Sequence, residues 1–260
     1  MALLEVTGVS VSIGGVELVH NVSLSAGQGE LIGLVGPNGA GKTTLMRALA
    51  GLLDYSGSVA ISGDALDRLN DAERARRIAY LPQEATIHWP LSVREVILLG
   101  RLPHLGSLSR PGQADRDRVA EAAELTGTSA FLGRRTDQLS AGERARVMLA
   151  RMLATGAPLL LADEPVAALD PYYQLRVMDI LNETAARGAT VIIILHDLLL
   201  AAAHCSRTIL LDHGRIAGDG PPRTVLTRAA LKQTYHIAPG RDLRWPPGPA
   251  SMWTAAGDTL

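Results

Sequence analysis

The stretch Gly36-Pro37-Asn38-Gly39-Ala40-Gly41-Lys42-Thr43-Thr44 constrains this chain more than any other. It fits G-x-x-x-x-G-K-[ST], the spacing of a phosphate-binding loop. The apolar run Leu31-Ile32-Gly33-Leu34-Val35 before it reads as a buried strand. Leu45, Met46, Leu49, Leu52 and Leu53 after it recur at helical spacing. Glycines let the backbone wrap phosphates, with amide N–H groups aimed inward at the start of a helix whose dipole favours anions. Lys42 adds a point charge for the β- and γ-phosphates, and the Thr43 hydroxyl suits Mg²⁺. A glycine-rich turn with no ligand does not account for Gly-Lys-Thr-Thr behind a strand. The loop alone specifies a nucleotide phosphate and not what the energy is for.

The 260 residues suffice for one large α/β domain or a domain with a subdomain. Hydrophobic content of 47% supports a full core, and a net charge of −1 leaves no footprint for nucleic acid. One cysteine, Cys205, excludes a disulfide framework and fits a reducing compartment. The opening Met-Ala-Leu-Leu-Glu-Val lacks a basic n-region with an apolar core, so no signal peptide is expected. The most apolar part, 191–203, is broken by His196 and Asp197 and is too short to span a bilayer. A soluble cytoplasmic chain is expected, reaching a membrane only through a partner.

Residues 3–24 alternate apolar and polar around Gly14-Gly15, which predicts an antiparallel hairpin. Short strands are expected at 57–63 and 78–81, with a charged helical turn at 71–77 between them. Beyond Gln83 strand patterns give way to helical ones, at 93–99, 114–126 and 143–154, separated by loops that contain Pro103, Pro111 and Gly112. Continuous apolar runs at 158–163 and 190–195 then suggest parallel strands covered on both faces. Between them Asp170-Pro171 opens a helix and Gly188 closes it. A last hairpin turns at His213-Gly214. The expected division is a nucleotide-binding core with a β subdomain over 1–84 and 156–238, a helical insert over 85–155, and a Pro/Gly-rich tail over 239–260.

Asp163-Glu164 ends an apolar strand and Pro165 stops it. A carboxylate there, in a chain with a phosphate loop, suits Mg²⁺, and Glu164 beside it can take a proton from an attacking water. Ser140 and Glu143 fit the capping box S-x-x-E. A helix N-terminus with a hydroxyl and Gly142 is in addition a second anion site. His196 comes after the strand 191–195 at the same sheet edge as Asp163, which suits contact with a γ-phosphate or water. Gln83 ends a strand at that edge, where its amide suits Mg²⁺. Asp170 reads as an N-cap and Cys205 as a small packed residue.

In order, Gly36–Thr44, Gln83, Leu139–Glu143, Leu161–Pro165, Ala168-Leu169-Asp170 and His196 resemble the Walker A, Q-loop, signature, Walker B, D-loop and switch-histidine motifs of ABC ATPases. The resemblance extends to about Tyr235. It implies an ABC-type P-loop domain of the α/β class, with an antiparallel β subdomain and an inserted α-helical subdomain. It implies ATP and Mg²⁺ as ligands and a head-to-tail dimer of two copies. Each ATP would lie between one copy's Gly36–Thr44 and the other's Ser140 and Gly142, with Asp170 among the nucleotide-binding residues. Closure would drive transmembrane permease subunits, fed by a substrate-binding protein, from the cytoplasmic side of the inner membrane. Arg77–Gln83, Ser92–Val96, Gly100–Gly106 and Leu195–Leu198 resemble importers of iron–siderophore, haem and cobalamin. A soluble ABC ATPase, such as one serving iron–sulfur assembly, would carry the same nucleotide motifs and differ in 84–106. A non-catalytic regulator is disfavoured by the intact Glu164 and His196.

The sequence departs from the family twice. Ile13 stands where an aromatic usually stacks on adenine, which predicts weak base discrimination. Ala141 replaces the usual first glycine of the signature.

Overall fold

A computed structural model of the chain describes residues 2–83, 90–106 and 109–237. The 239–260 tail expected from sequence, and part of 84–106, lie outside the described residues.

The N-terminal hairpin forms as predicted. β1 (Ala2–Ile13) and β2 (Val16–Gly27) pair antiparallel, with Ile13 opposite Val16 across Gly14-Gly15. Next comes β3 (Leu31–Val35), the phosphate loop, and α1 (Lys42–Leu49). α1 stops where Gly51 adopts φ +69. The Gly51 amide donates to Ala48 O and the Leu52 amide to Arg47 O, a Schellman C-cap. Leu52, expected on the buried helical stripe, is therefore turned out and 55% exposed.

The chain then forms β4 (Ser56–Ile61), β5 (Asp64–Ala65), α2 (Asp71–Arg77) and β6 (Ile78–Leu81). The helical stretch supplies α3 (Val93–Leu98), α4 (Gln113–Leu125) and α5 (Ala141–Ala154). The sequence predicts a loop at Pro103. The structure instead winds 99–104 into a 3₁₀ helix laid on the C-terminal end of α5. Arg101 Nη1 donates to Ala154 O and Thr155 O at 2.9 and 3.0 Å, and His104 Nε2 lies 2.8 Å from Thr155 O. These contacts satisfy carbonyls that a helix end leaves open.

The core resumes with β7 (Leu159–Asp163), α6 (Pro171–Ala186), β8 (Thr190–Ile194) and α7 (Leu198–His204). It continues with β9 (Arg207–Asp212), β10 (Arg215–Gly220), α8 (Pro222–Val225) and α9 (Arg228–Thr234). Gly188 sits just past α6 at φ +103, as expected of a closing glycine.

Two sheets result. One is antiparallel, in the order β2-β1-β4-β5. The other runs β10-β9-β3-β8-β7-β6, parallel from β9 to β6. The parallel strands are apolar along most of their length because both faces are covered. Leu31, Leu160, Val191 and Ile193 join a cluster with α5 and α6. Ile32, Leu34, Leu161 and Ile192 face the opposite way, toward α1 and the antiparallel sheet.

Candidate active site

Parallel pairing dictates where the polar residues go. β3, β8, β7 and β6 are neighbours running the same way, with Leu34 opposite Ile194, Ile194 opposite Asp163, and Ala162 opposite Leu81. The residues at the C-terminal tip of each strand therefore emerge at one rim. This gathers the loop 36–44, His196, Asp163-Glu164 and Gln83 from four separate stretches of sequence.

The loop is held from outside. Gly36 has φ +155, and a Cβ there would lie 2.1 Å from Leu211 O of β9. Gly41 has φ +94, and a Cβ there would lie 2.7 Å from Leu18 O of β2. Only glycine fits at either place. The Gly214 amide, from the β9–β10 turn, donates to Ala40 O at 3.0 Å, and the His20 amide donates to Gly214 O at 2.8 Å. Asn38 and Gly39 are exposed at the loop tip, behind Pro37. Gly41 caps α1 without a side-chain bond, so no side chain of the cap occupies the first-turn amides at Lys42, Thr43 and Thr44.

Lys42 is buried, and its Nζ donates to Gly36 O at 2.8 Å and Pro37 O at 2.9 Å. Burial lowers its pKa, against the opposing pull of Glu164 and Asp163. Asp163 is 1% exposed. Its Oδ2 lies 3.4 Å from the Tyr80 hydroxyl, and its Oδ1 is buried with no hydrogen-bond partner. Burial raises its pKa; Thr43 lowers it by hydrogen bonding, Glu164 adds repulsion, and Tyr80 and Arg47 lower it. A buried carboxylate oxygen with no donor, beside the Thr43 hydroxyl, is the oxygen set that a hard divalent cation takes.

Glu164 has φ +54, a left-handed backbone rare outside glycine. Its Oε2 accepts from Gln83 Nε2 at 2.7 Å, and its Oε1 lies 2.5 Å from His196 Nε2. The sequence placed Gln83 at a metal; the structure puts its amide on Glu164. Both neighbouring strand tips thus hold this one carboxylate.

Ser140 caps α5 as predicted. Its Oγ accepts from the Glu143 amide at 3.2 Å, and its own amide donates to Glu143 Oε2 at 2.8 Å. A Cβ on Gly142 would meet Leu169 Cδ2 at 3.6 Å and Ala168 O at 3.9 Å, both ordinary contacts. Asp170 caps α6 by accepting from the Tyr173 amide at 3.0 Å. Among the described residues no hydrogen bond or ion pair joins Ser140, Gly142 or Asp170 to the loop 36–44. A cavity of about 160 Å³ does bring Ala141 and Arg144 of α5 opposite Gln83 and Glu164.

Sequence reasoning missed Tyr80 and Arg47 beside Asp163. A tyrosine in an otherwise apolar strand, three residues before Gln83, was the available signal for the first. It also missed a larger cavity of about 610 Å³, lined by Arg47, Leu52, Tyr80, Gly100, Pro103 and Arg151.

Comparison with known proteins identifies the family. The Hemin import ATP-binding protein HmuV of Streptomyces coelicolor is 45% identical over 231 residues, covering 88% of this chain and 81% of that protein. The Cobalamin import ATP-binding protein BtuD of Halobacterium salinarum is 40% identical over 243 residues, covering 92% of this chain. The chain spans only 61% of that relative's length. A dimeric bacterial ABC transporter cassette superposes with a TM-score of 0.75 at 27% identity, covering 85% of this chain and 99% of that one. The family model described as ABC transporter matches residues 19–167. With more than half its length matched and the phosphate loop, Asp163-Glu164 and α5 in one fold, the chain belongs to the ABC transporter family.

Proposed function

We propose that this protein is the ATP-hydrolysing subunit of an importer for haem, cobalamin or a related metal chelate. The observation that carries this is the convergence of Lys42, Asp163, Glu164, Gln83 and His196 on one rim.

ATP would place its phosphates among the amides of 36–44. Lys42 would exchange the carbonyls of Gly36 and Pro37 for phosphate oxygens. Mg²⁺, held by Thr43 and Asp163 with Gln83 beside them, would neutralise charge developing on the phosphates. Glu164 would take the proton of the attacking water, and His196 would orient that water or the γ-phosphate. Ser140 and Gly142 would serve the nucleotide of a second copy, with Asp170 at the same interface. Among the described residues a Cβ on Gly142 would make only ordinary contacts, which leaves that face open to a second copy.

The larger cavity lies between the parallel sheet's β6 edge and the insert, rimmed by the exposed Leu52. We assign it to a permease segment, so that Gln83 and α3–α5 report nucleotide occupancy to the membrane partner. Among the described residues no helix is long and apolar enough to cross a membrane, in keeping with attachment through a permease on the cytoplasmic face. A substrate-binding protein would select the cargo. Relatives named as import proteins favour this over a soluble assembly ATPase.

Glu164→Gln tests the chemistry. Turnover should fall by about 10²–10⁴, while ATP binding persists and ATP-dependent dimers accumulate on size exclusion. Full turnover in this variant would remove Glu164 from the role.

A further inference from the structure

We infer that Arg146 is a positioning residue that locks the signature end of α5 to the first turn of α6. It rests on the two-copy ATP sandwich proposed above and adds to it a route within one chain.

The guanidinium carbon of Arg146 lies 4.1 Å from the ring centre of Tyr173 on α6 and 5.4 Å from that of Phe131. Its Nη1 donates to Gly127 O at 3.0 Å, just past the end of α4, while its Nε is buried with no hydrogen-bond partner. Among the described residues no carboxylate pairs with it. A half-buried arginine with no carboxylate partner among the described residues, placed against two rings, is held by the π-faces. In a chain with only one phenylalanine and five tyrosines, such a placement makes these rings unlike ordinary core filler.

The contacts continue on both sides. Toward the signature, Arg134 lies 5.8 Å from the same Phe131 ring and pairs with Glu143 at 3.1 Å. Glu143 is the carboxylate that accepts from the Ser140 amide. Toward the rim, Tyr173 supplies the amide that Asp170 caps, and Tyr172 meets the Tyr173 ring edge-on at 5.1 Å. The next residue, Gln174, donates from Nε2 to Val166 O at 3.2 Å, within the turn just past Glu164. A continuous series of contacts therefore runs from Ser140 through Glu143, Arg134, Phe131, Arg146 and Tyr173 to Asp170. Ser140 would answer to one ATP and Glu164 to the other. Arg146 makes the two move together, so that a copy hydrolyses its own ATP only once it has engaged its partner's.

The test uses Arg146→Leu, Arg146→Lys, Tyr173→Leu, Tyr173→Phe and the double leucine variant in the full chain. ATP affinity is titrated on dilute protein, and turnover is followed against ATP concentration. Arg146→Leu and Tyr173→Leu should keep single-site affinity within about twofold, lose about tenfold in kcat, and drop the Hill coefficient from about 2 toward 1. Tyr173→Phe, which keeps the ring, should behave as wild type, and Arg146→Lys should recover about half the loss on a logarithmic scale. The double variant should be no worse than either single one. Additive losses, unchanged cooperativity in Tyr173→Leu, or affinity falling in step with kcat would each overturn the assignment. If Arg146→Leu does not fold, the Tyr173 pair and Arg146→Lys still decide. Failure of the hydrolysis proposal would show separately, as full turnover in Glu164→Gln.

Discussion

Asp163 keeps a buried oxygen without a donor, so the metal-free protein carries a buried carboxylate that Thr43, Tyr80 and Arg47 relieve only in part. The resulting pH dependence has a definite sign. The folded pKa is raised above the unfolded value, so the penalty is absent below the unfolded value of about 3.9 and complete above the folded one. Asp163→Asn should therefore stabilise the metal- and nucleotide-free protein at pH 7, by about 1 kcal/mol. That gain should shrink as the pH falls toward 4, in thermal unfolding scans. A variant less stable than wild type at pH 7 would contradict this. Ile13, 46% exposed beside the hairpin turn, presents only aliphatic surface. Comparable ATP and GTP affinities are expected, and Ile13→Tyr should favour ATP by about 1 kcal/mol or more; strong ATP preference in the wild type would refute this. Glu164, His196 and Lys42 were legible in sequence because each sits at a fixed offset from a strand or a glycine loop. Tyr80, Arg47 and the rings around Arg146 were not, since their partners lie far along the chain. Cys205, read as packed filler, is buried against Gly33, and burial pushes its thiol up to about 12.

Caps and alternation carried the elements. Ser140 with Glu143 and Asp170 with Pro171 are local pairs, and both start helices where the sequence placed them. The segment Gly100-Arg101-Leu102-Pro103-His104 was harder, because its conformation depends on α5. A Cβ on Gly100 would lie 2.3 Å from Arg151 O. Close approach there lets Arg101 reach the last carbonyls of α5 while pairing with Asp115 at 3.0 Å. Arg76 Nη1, from α2, also donates to Pro103 O at 2.9 Å. Gly100→Ala should cost about 1–3 kcal/mol by overpacking, seen as a lower denaturation midpoint. A midpoint equal to wild type would mean the segment can shift at no cost. Pro103 misled the sequence reading because a proline tolerates 3₁₀ geometry when its neighbours are tied down from outside.

At the scale of the molecule, the parallel sheet was legible from its unbroken apolar runs, whereas strand order was not. That order puts β6 at an edge, where the larger cavity opens with Arg151 at its wall and no ion-pair partner for Arg151 among the described residues. Arg151 is exposed at that wall, where a counter-charge can reach it. Arg151→Glu should leave basal ATP turnover within about twofold and sharply reduce recovery of a polytopic permease in a gentle-detergent pull-down. Equal recovery would move the docking surface elsewhere.

The phosphate loop, finally, has no slack. Gly36 abuts β9, Gly41 abuts β2, and a Cβ on Gly214 would lie 2.4 Å from Leu18 O. Two stretches of chain, 18–20 and 211–214, are wedged against the cradle, which therefore works as an anvil. Under the proposed function, force would be delivered from the other side of the rim, where α3–α5 lie.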